Sequence, residues 1–194
     1  MKLAIIPARI GSKRIPKKNI KDFFGKPIIS YSIQAAIESG LFDTVMVSTD
    51  SIEVAEIAHK AGASVPFIRT IENSNDSATL YQVVIEVLNG FKMLGIEFKE
   101  VCCILATAPF VTAEHLINSH KLLINSVKCI LPNYQDAGQF YWAKVKGLYT
   151  RNTIISENSF YYPMDAIDIN TIEDFENAKI KYNTQIKNTY DNEH

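Results

Sequence analysis

Short apolar runs of five or six residues alternate along this chain with longer segments whose apolar residues recur every three or four positions. Lys2–Pro7 is rich in Ile and ends on proline, so it reads as a buried first strand. Ala8–Pro27 follows as a long loop broken by Gly11, Pro16, Gly25 and Pro27. Ile28–Ser39 carries Ile28, Ile29, Ser32, Ile33, Ala36 and Ile37 on one stripe, which predicts a helix capped by Gly40. Thr44–Ser48 reads as the second strand. Asp50 with Glu53 three residues on has the spacing of a capping box for a helix to about Ala61. Further along, the pattern predicts strands at Ser64–Ile68, Val101–Leu105 and Gln139–Lys144. It predicts helices at Ala78–Leu88, from a Thr112 cap to about Ile124, and from a Thr171 cap with Ile172, Phe175, Ala178 and Tyr182 inward. Residues 1–182 are expected to form a single domain, with 183–194 a polar tail that frays.

Strands alternating with helices in this way mean an α/β fold of three layers, a mostly parallel sheet with helices on both faces. In such sheets ligands sit outside the carboxyl ends of the strands. The loop after the first strand emerges at such an end, and it is where the chain concentrates its positive charge. Residues 1–26 hold Lys2, Arg9, Lys13, Arg14, Lys17, Lys18, Lys21 and Lys26 against the single acid Asp22, a net of +7 in a chain whose total is -1. A focused cationic loop on an acidic body suits a small polyanion; binding to nucleic acid goes with positive charge over a whole face, and no aromatic residues interleave this loop as a single-strand platform requires.

Other chemistries find little support. Cys102, Cys103 and Cys129 include no Cys-x-x-Cys pair and sit in apolar runs, as buried thiols of a reducing compartment do. His59, His115, His120 and His194 show no metal-ligand spacing. No apolar run approaches the roughly 18 residues of a membrane span, and the N-terminus lacks a signal-peptide core, so a cytoplasmic protein without membrane partners is expected.

The loop itself reads Pro7-Ala8-Arg9-Ile10-Gly11-Ser12-Lys13-Arg14-Ile15-Pro16-Lys17-Lys18-Asn19. Neither the Walker pattern nor the dinucleotide Gly-x-Gly-x-x-Gly pattern is present. The parts a triphosphate needs are nonetheless there: Gly11 for backbone approach, Ser12 and backbone amides as donors, and Arg9, Lys13 and Lys18 to neutralise charge. Arg14 and Lys17 read as solvated, and Phe140 and Trp142 as core.

From Leu3-Ala4-Ile5-Ile6-Pro7-Ala8-Arg9 through Gly25-Lys26-Pro27 to Val47-Ser48-Thr49-Asp50, with Ser12-Lys13 and Pro16-x-Lys18-Asn19 between, the chain resembles the cytidylyltransferases that activate nonulosonic, sialic-acid-like sugars. Pro66-Phe67-Ile68-Arg69, Thr107-Ala108-Pro109-Phe110 and Asp136 through Trp142 are similar to the pseudaminic acid branch, and the resemblance extends to Asp168 and Asp174-Phe175. It implies a Rossmann-like nucleotidyltransferase fold and the reaction of CTP with a nonulosonic acid to give the CMP-sugar and pyrophosphate, for surface-glycan or flagellin glycosylation. It further implies Mg2+ as cofactor and a homodimer.

The same resemblance assigns Ala8, Arg9, Gly11, Ser12, Lys13, Lys18, Asn19, Arg69, Ser77 and Thr79 to CTP, Thr107, Gln139 and Tyr141 to the sugar, and Asp168 to the metal, with Arg9, Lys18 and Asp168 closest to the chemistry. Two departures accompany it. The family's Asp-x-Asp before the last helix reads Asp168-Ile169-Asn170 here, and Ala106 stands where the branch has proline. Relatives also carry extra residues at places corresponding to 127–132 and 162–166, so this chain is either a minimal member or lacks loops there. Three alternatives remain: activation of N-acetylneuraminic, legionaminic or 3-deoxy-octulosonic acid, guanylyl or other nucleotidyl transfer, and a catalytically silent nucleotide-binding protein.

Overall fold

The computed structural model describes residues 1–130, 138–155 and 159–192. Among the described residues eight strands and six α-helices follow in the order β1 (Lys2–Pro7), β2 (Asp22–Phe23), β3 (Lys26–Pro27), α1 (Ile29–Glu38), β4 (Thr44–Ser48), α2 (Ile52–Lys60), α3 (Leu80–Met93), β5 (Glu100–Ile104), α4 (Ala113–His120), β6 (Ser126–Ile130), β7 (Phe140–Lys144), α5 (Val145–Arg151), β8 (Phe160–Pro163) and α6 (Ile172–Asn192). Six strands form one sheet in the order β4-β1-β5-β7-β6-β8, and β2 pairs with β3 in a small separate hairpin. β1 runs parallel to both β4 and β5, β6 runs parallel to β8, and β7 alone is antiparallel to its neighbours.

Both faces of this sheet are buried, which is why its central strands read as continuous apolar runs rather than alternating ones. Ala4 and Ile6 of β1, Cys102 and Ile104 of β5 and Phe140 and Trp142 of β7 point into one core, with Ile33, Val54, Ala58, Leu116, Phe175 and Ala178 from α1, α2, α4 and α6. Leu3, Ile5, Val101, Cys103 and Ala143 point into the other, with Val84, Val87, Leu88 and Phe91 from α3 and Leu148 from α5. The expected three-layer α/β arrangement is therefore what forms. Trp142 is fully buried, stacks on Phe42 with ring centroids 5.2 Å apart, and donates its Nε1–H to Ser119 Oγ at 3.1 Å. Cys102 and Cys103 are buried, and burial pushes the Cys103 thiol well up.

Several boundaries differ from expectation for local reasons. Ser51, not Asp50, caps α2: its hydroxyl accepts from Val54 N, while the Asp50 carboxylate accepts from Ile10 N at 3.0 Å. The third strand expected at Ser64–Ile68 is reduced to a single bridge between Met46 and Ser64, because Pro66 has no N–H to offer a ladder and the chain turns so that Arg69 N bonds Thr49 O. α3 starts two residues later than predicted, at a capping box of Thr79 and Gln82, and continues past Leu88 to Met93. Thr112 caps α4 as expected, but the helix ends at His120, short of Ile124. Thr171 accepts from Asp174 N at the start of α6, where Phe175 and Ala178 are buried while Ile172 is exposed. The backbone of α6 stays helical to Asn192 instead of fraying after Tyr182. The hairpin of β2 and β3, α5 and β8 carry no pattern that singled them out.

Candidate functional site

Pro7 is the last residue of β1 and pairs with Ser48, the last of β4, so the basic loop leaves the sheet at the carboxyl ends of its parallel strands. The loop is charged at almost every turn, yet it is fixed. Ile15, in its middle, is 1% exposed and belongs to the core. Asn19 Nδ2 donates to the Arg9 carbonyl at 2.9 Å, and Lys17, at a positive φ of 51°, reaches both Glu53 oxygens at 2.7 and 2.8 Å. Lys18 Nζ donates to the Ile169 carbonyl at 2.6 Å, tying the loop to the segment before α6.

The loop forms one wall of a cavity of about 710 Å³. Arg9, Ser12, Lys13, Lys18 and Asn19 lie on this wall, Arg69 on a second, and Thr107 and Tyr141 on a third beside Gly138. Asp168 and Asn170 complete the rim. These are nine of the residues expected at the site, brought together from five separated stretches of chain. Arg14, expected in solvent, is exposed but also borders the cavity.

Ala8, Gly11, Ser77, Thr79 and Gln139 are not on the lining. The Ala8 methyl is in the core and its amide already donates to the Ser48 carbonyl, so only its own carbonyl is left as a polar group. Gly11 is not among the glycines at positive φ, and a Cβ there would meet nothing within 4 Å, so the loop's shape does not depend on it. Ser77 Oγ donates to Asn75 Oδ1, and Thr79 Oγ1 is engaged with Gln82 in the cap of α3. Gln139 is fully buried, and neither its amide nitrogen nor its oxygen has a hydrogen-bond partner among the described residues. It lies between Gly138 and Tyr141, which do line the cavity. Asp136, part of the expected sugar-facing stretch, lies outside the described residues.

The charges are shaped by burial. Desolvation pulls the Lys18 ammonium below the ordinary lysine value, against the raising influence of Asp168 and with a lowering one from Arg14 and Arg9. The Arg69 guanidinium, 7% exposed, is likewise lowered by desolvation. It stays satisfied by donating from Nε to Ser48 Oγ at 2.9 Å, from Nη2 to the Ser48 carbonyl, and from Nη1 to the Asn73 carbonyl at 3.5 Å. Asn73, Asn75 and Asp76 complete this side, and none was singled out from the sequence. The one signal for them was an acid, Asp76, in a polar stretch facing a loop of opposite charge.

The Asp168 carboxylate accepts from Asn170 Nδ2 at 2.6 Å, so the amide that replaces the expected second carboxylate holds the first in place. Among the described residues no three His, Cys, Asp or Glu side chains gather as a metal cage. One carboxylate on the rim of a cavity with a cationic wall still fits Mg2+, which commonly takes one or two carboxylates and completes its sphere with water and other oxygen ligands. No helix among the described residues is long and apolar enough to cross a membrane.

Replacing Arg69 by Ala is expected to lower unfolding stability by about 1–3 kcal/mol, since Ser48 Oγ and its carbonyl lose their buried donor. Arg69→Lys should recover only part of this, because an ammonium cannot serve both oxygens with a planar fork. Urea unfolding of the two variants beside the parent chain checks it.

The chain is similar to several known proteins. A pseudaminic acid cytidylyltransferase from Campylobacter jejuni is 36% identical over 224 aligned residues, covering 93% of this chain and 95% of that protein. That alignment is longer than the 194 residues here, so the relative carries residues with no counterpart in this chain. A CMP-N,N'-diacetyllegionaminic acid synthase from Legionella pneumophila is 38% identical over 133 residues, covering 67% of this chain and 57% of that one. Among solved structures, a CMP:2-keto-3-deoxy-manno-octonic acid synthetase complexed with CTP superposes with a TM-score of 0.73 at 14% identity, covering 95% of this chain and 99% of that one. A cytidylyltransferase from Leptospira borgpetersenii superposes with a TM-score of 0.71 at 22% identity, covering 93% and 87%. The profile of the cytidylyltransferase family matches residues 3–193, and the chain belongs to that family.

Proposed function

We propose that this nucleotidyltransferase activates pseudaminic acid, joining it to CMP from CTP with release of pyrophosphate. The observation that carries the reading is the convergence of Arg9, Lys13 and Lys18 with Asp168 on one cavity, in a chain similar over nearly its whole length to a pseudaminic acid cytidylyltransferase. The triphosphate lies against the loop, where Arg9 binds with a planar fork, Lys13 as a point charge and Ser12 as a hydroxyl donor. Arg69 and the asparagines beside it border the nucleoside end. The sugar enters from the side of Thr107 and Tyr141, and Gln139, buried with an amide unpartnered among the described residues, is the reserve of hydrogen-bonding capacity there.

The anomeric hydroxyl of the sugar attacks the α-phosphorus in line, and pyrophosphate departs. The enzyme contributes position and charge rather than a covalent intermediate. Lys18, held on the Ile169 carbonyl and half desolvated, steadies the α-phosphate as charge builds on it. Asp168, fixed by Asn170, would hold Mg2+, which supplies charge neutralisation to the phosphates when bound.

Pyrophosphate release from CTP and Mg2+ tests the reading with pseudaminic, legionaminic and N-acetylneuraminic acids side by side. Release with pseudaminic acid at the highest kcat/KM is expected. Preference for legionaminic acid would favour the second reading, which the Legionella relative supports, and CTP binding without release from any sugar would leave a silent nucleotide-binding protein.

A second expectation concerns pH. In the free enzyme Lys18 is charged below its folded pKa and loses its charge as pH rises through a value lowered by burial. The alkaline limb of kcat/KM for CTP should therefore fall at a lower pH than an ordinary lysine allows. Lys18→Arg, permanently charged, should remove that limb while lowering kcat at neutral pH. A limb unchanged in the variant would assign it to another group.

A further inference from the structure

The acid on the cavity wall that meets the cationic loop directly is Asp76. Its Oδ1 lies 2.6 Å from Arg9 Nη2 and its Oδ2 lies 2.6 Å from Lys13 Nζ, so one carboxylate bridges two cations of the loop after β1. The Lys13 ammonium, and next to it the Arg9 guanidinium, hold the Asp76 carboxyl below the usual range. Lys18 takes no part in this bridge, being bonded to Ile169.

The stretch that presents Asp76 is braced on both sides of it. The Glu86 carboxylate of α3 accepts from Thr70 N at 2.8 Å, from Thr70 Oγ1 at 3.1 Å and from Asn73 Nδ2. On the other side Asn75 Oδ1 accepts from Ser77 N, Ser77 Oγ and Ala78 N at 2.7 to 3.0 Å. Asp76 is thus delivered to the loop from a self-supporting turn. Two oxygens each pairing with one cation reproduce what two phosphate oxygens would do in the same place.

We propose that Asp76 is a built-in counter-anion that occupies the phosphate subsite of Arg9 and Lys13 at rest and is exchanged for the incoming polyphosphate. The inference rests on the assignment of those two cations to the triphosphate under Proposed function. It explains how two cations are held side by side on the cavity wall without mutual repulsion splaying them. The bridge is also weak enough to give way. The side chains of Lys13 and Asp76 are 81% and 50% exposed, and exposed ion pairs contribute little. A triphosphate brings several charges against the single one of Asp76, so exchange favours it, and the affinity measured is what remains after Asp76 has been displaced. When pyrophosphate leaves, Asp76 returns to the cations and opposes its rebinding.

The test compares Asp76→Asn and Asp76→Ala with the parent chain by calorimetric titration, using inorganic tripolyphosphate, CTP and, by competition, cytidine. Tripolyphosphate and CTP should bind both variants about threefold to tenfold more tightly, the amount expected for relief of one or two exposed pairs, while cytidine binding stays the same. Polyphosphate binding that is unchanged or weaker in both variants overturns the inference, since Asp76 would then position Arg9 and Lys13 for the ligand instead of competing with it. A matching change in cytidine binding also overturns it, because the effect would not lie in the phosphate subsite. A parent chain that binds neither tripolyphosphate nor CTP removes the assignment of the cations and the inference with it; a parent that binds both, with no gain in either variant, removes the inference alone.

Discussion

Eight basic residues crowd the first 26, and the loop among them has to hold several close together without being unfolded by their repulsion. Burial of Ile15 supplies the anchor. A side chain taken out of water in the middle of a charged segment fixes the loop's centre, and the gain is of the order of 1.5–3 kcal/mol for an aliphatic side chain. Around that anchor each polar tie has a separate job. Asp50 holds the start of the loop at Ile10 N, Asn19 closes it onto Arg9, and Lys18 joins it to the segment before α6. Lys17 is diverted to Glu53. What is left facing the cavity is Arg9, Ser12, Lys13, Arg14, Lys18 and Asn19.

The sheet decides where this loop is placed. β1 lies between β4 and β5 and is parallel to both, so three consecutive connections leave from the same edge. The loop after β1 and the Leu105–Thr107 turn after β5 therefore meet at this edge, and the stretch carrying Arg69, which follows α2, is brought to it by the bond from Arg69 N to the Thr49 carbonyl just past β4. β7 arrives from the opposite direction, so its first residues rather than its last border the cavity. That reversal brings Gly138 and Tyr141 to the same rim.

Legibility followed the strength of the local signal. β1 and β4 were bounded correctly because an apolar run closed by Pro7 or Asp50 has few other readings. The three-layer class followed from alternation alone. The stretch after Ser64 failed because a β-rich composition cannot show that Pro66 breaks the ladder, and α5 and β8 failed because seven- and four-residue elements have too few positions to display a period. At the site, charge and family resemblance found the cationic wall. Ala8 and Gly11, expected at the same site, lie off its lining. Charge and resemblance missed Asn73, Asn75 and Asp76, whose placement depends on Glu86 of α3 drawing the turn inward, a tertiary contact with no sequence period.

The account stands on one claim, that the walls of this cavity recognise a chain of phosphates first and the rest of the nucleotide second. The most direct measurement is the equilibrium affinity of the protein for CTP, CMP and cytidine at two salt concentrations. Affinity should fall steeply from CTP to CMP to cytidine, and only the CTP value should weaken strongly as salt rises, because several screened charge pairs form at once. Equal binding of CTP and CMP, or a CTP affinity indifferent to salt, would contradict the account and leave the cationic loop without a ligand.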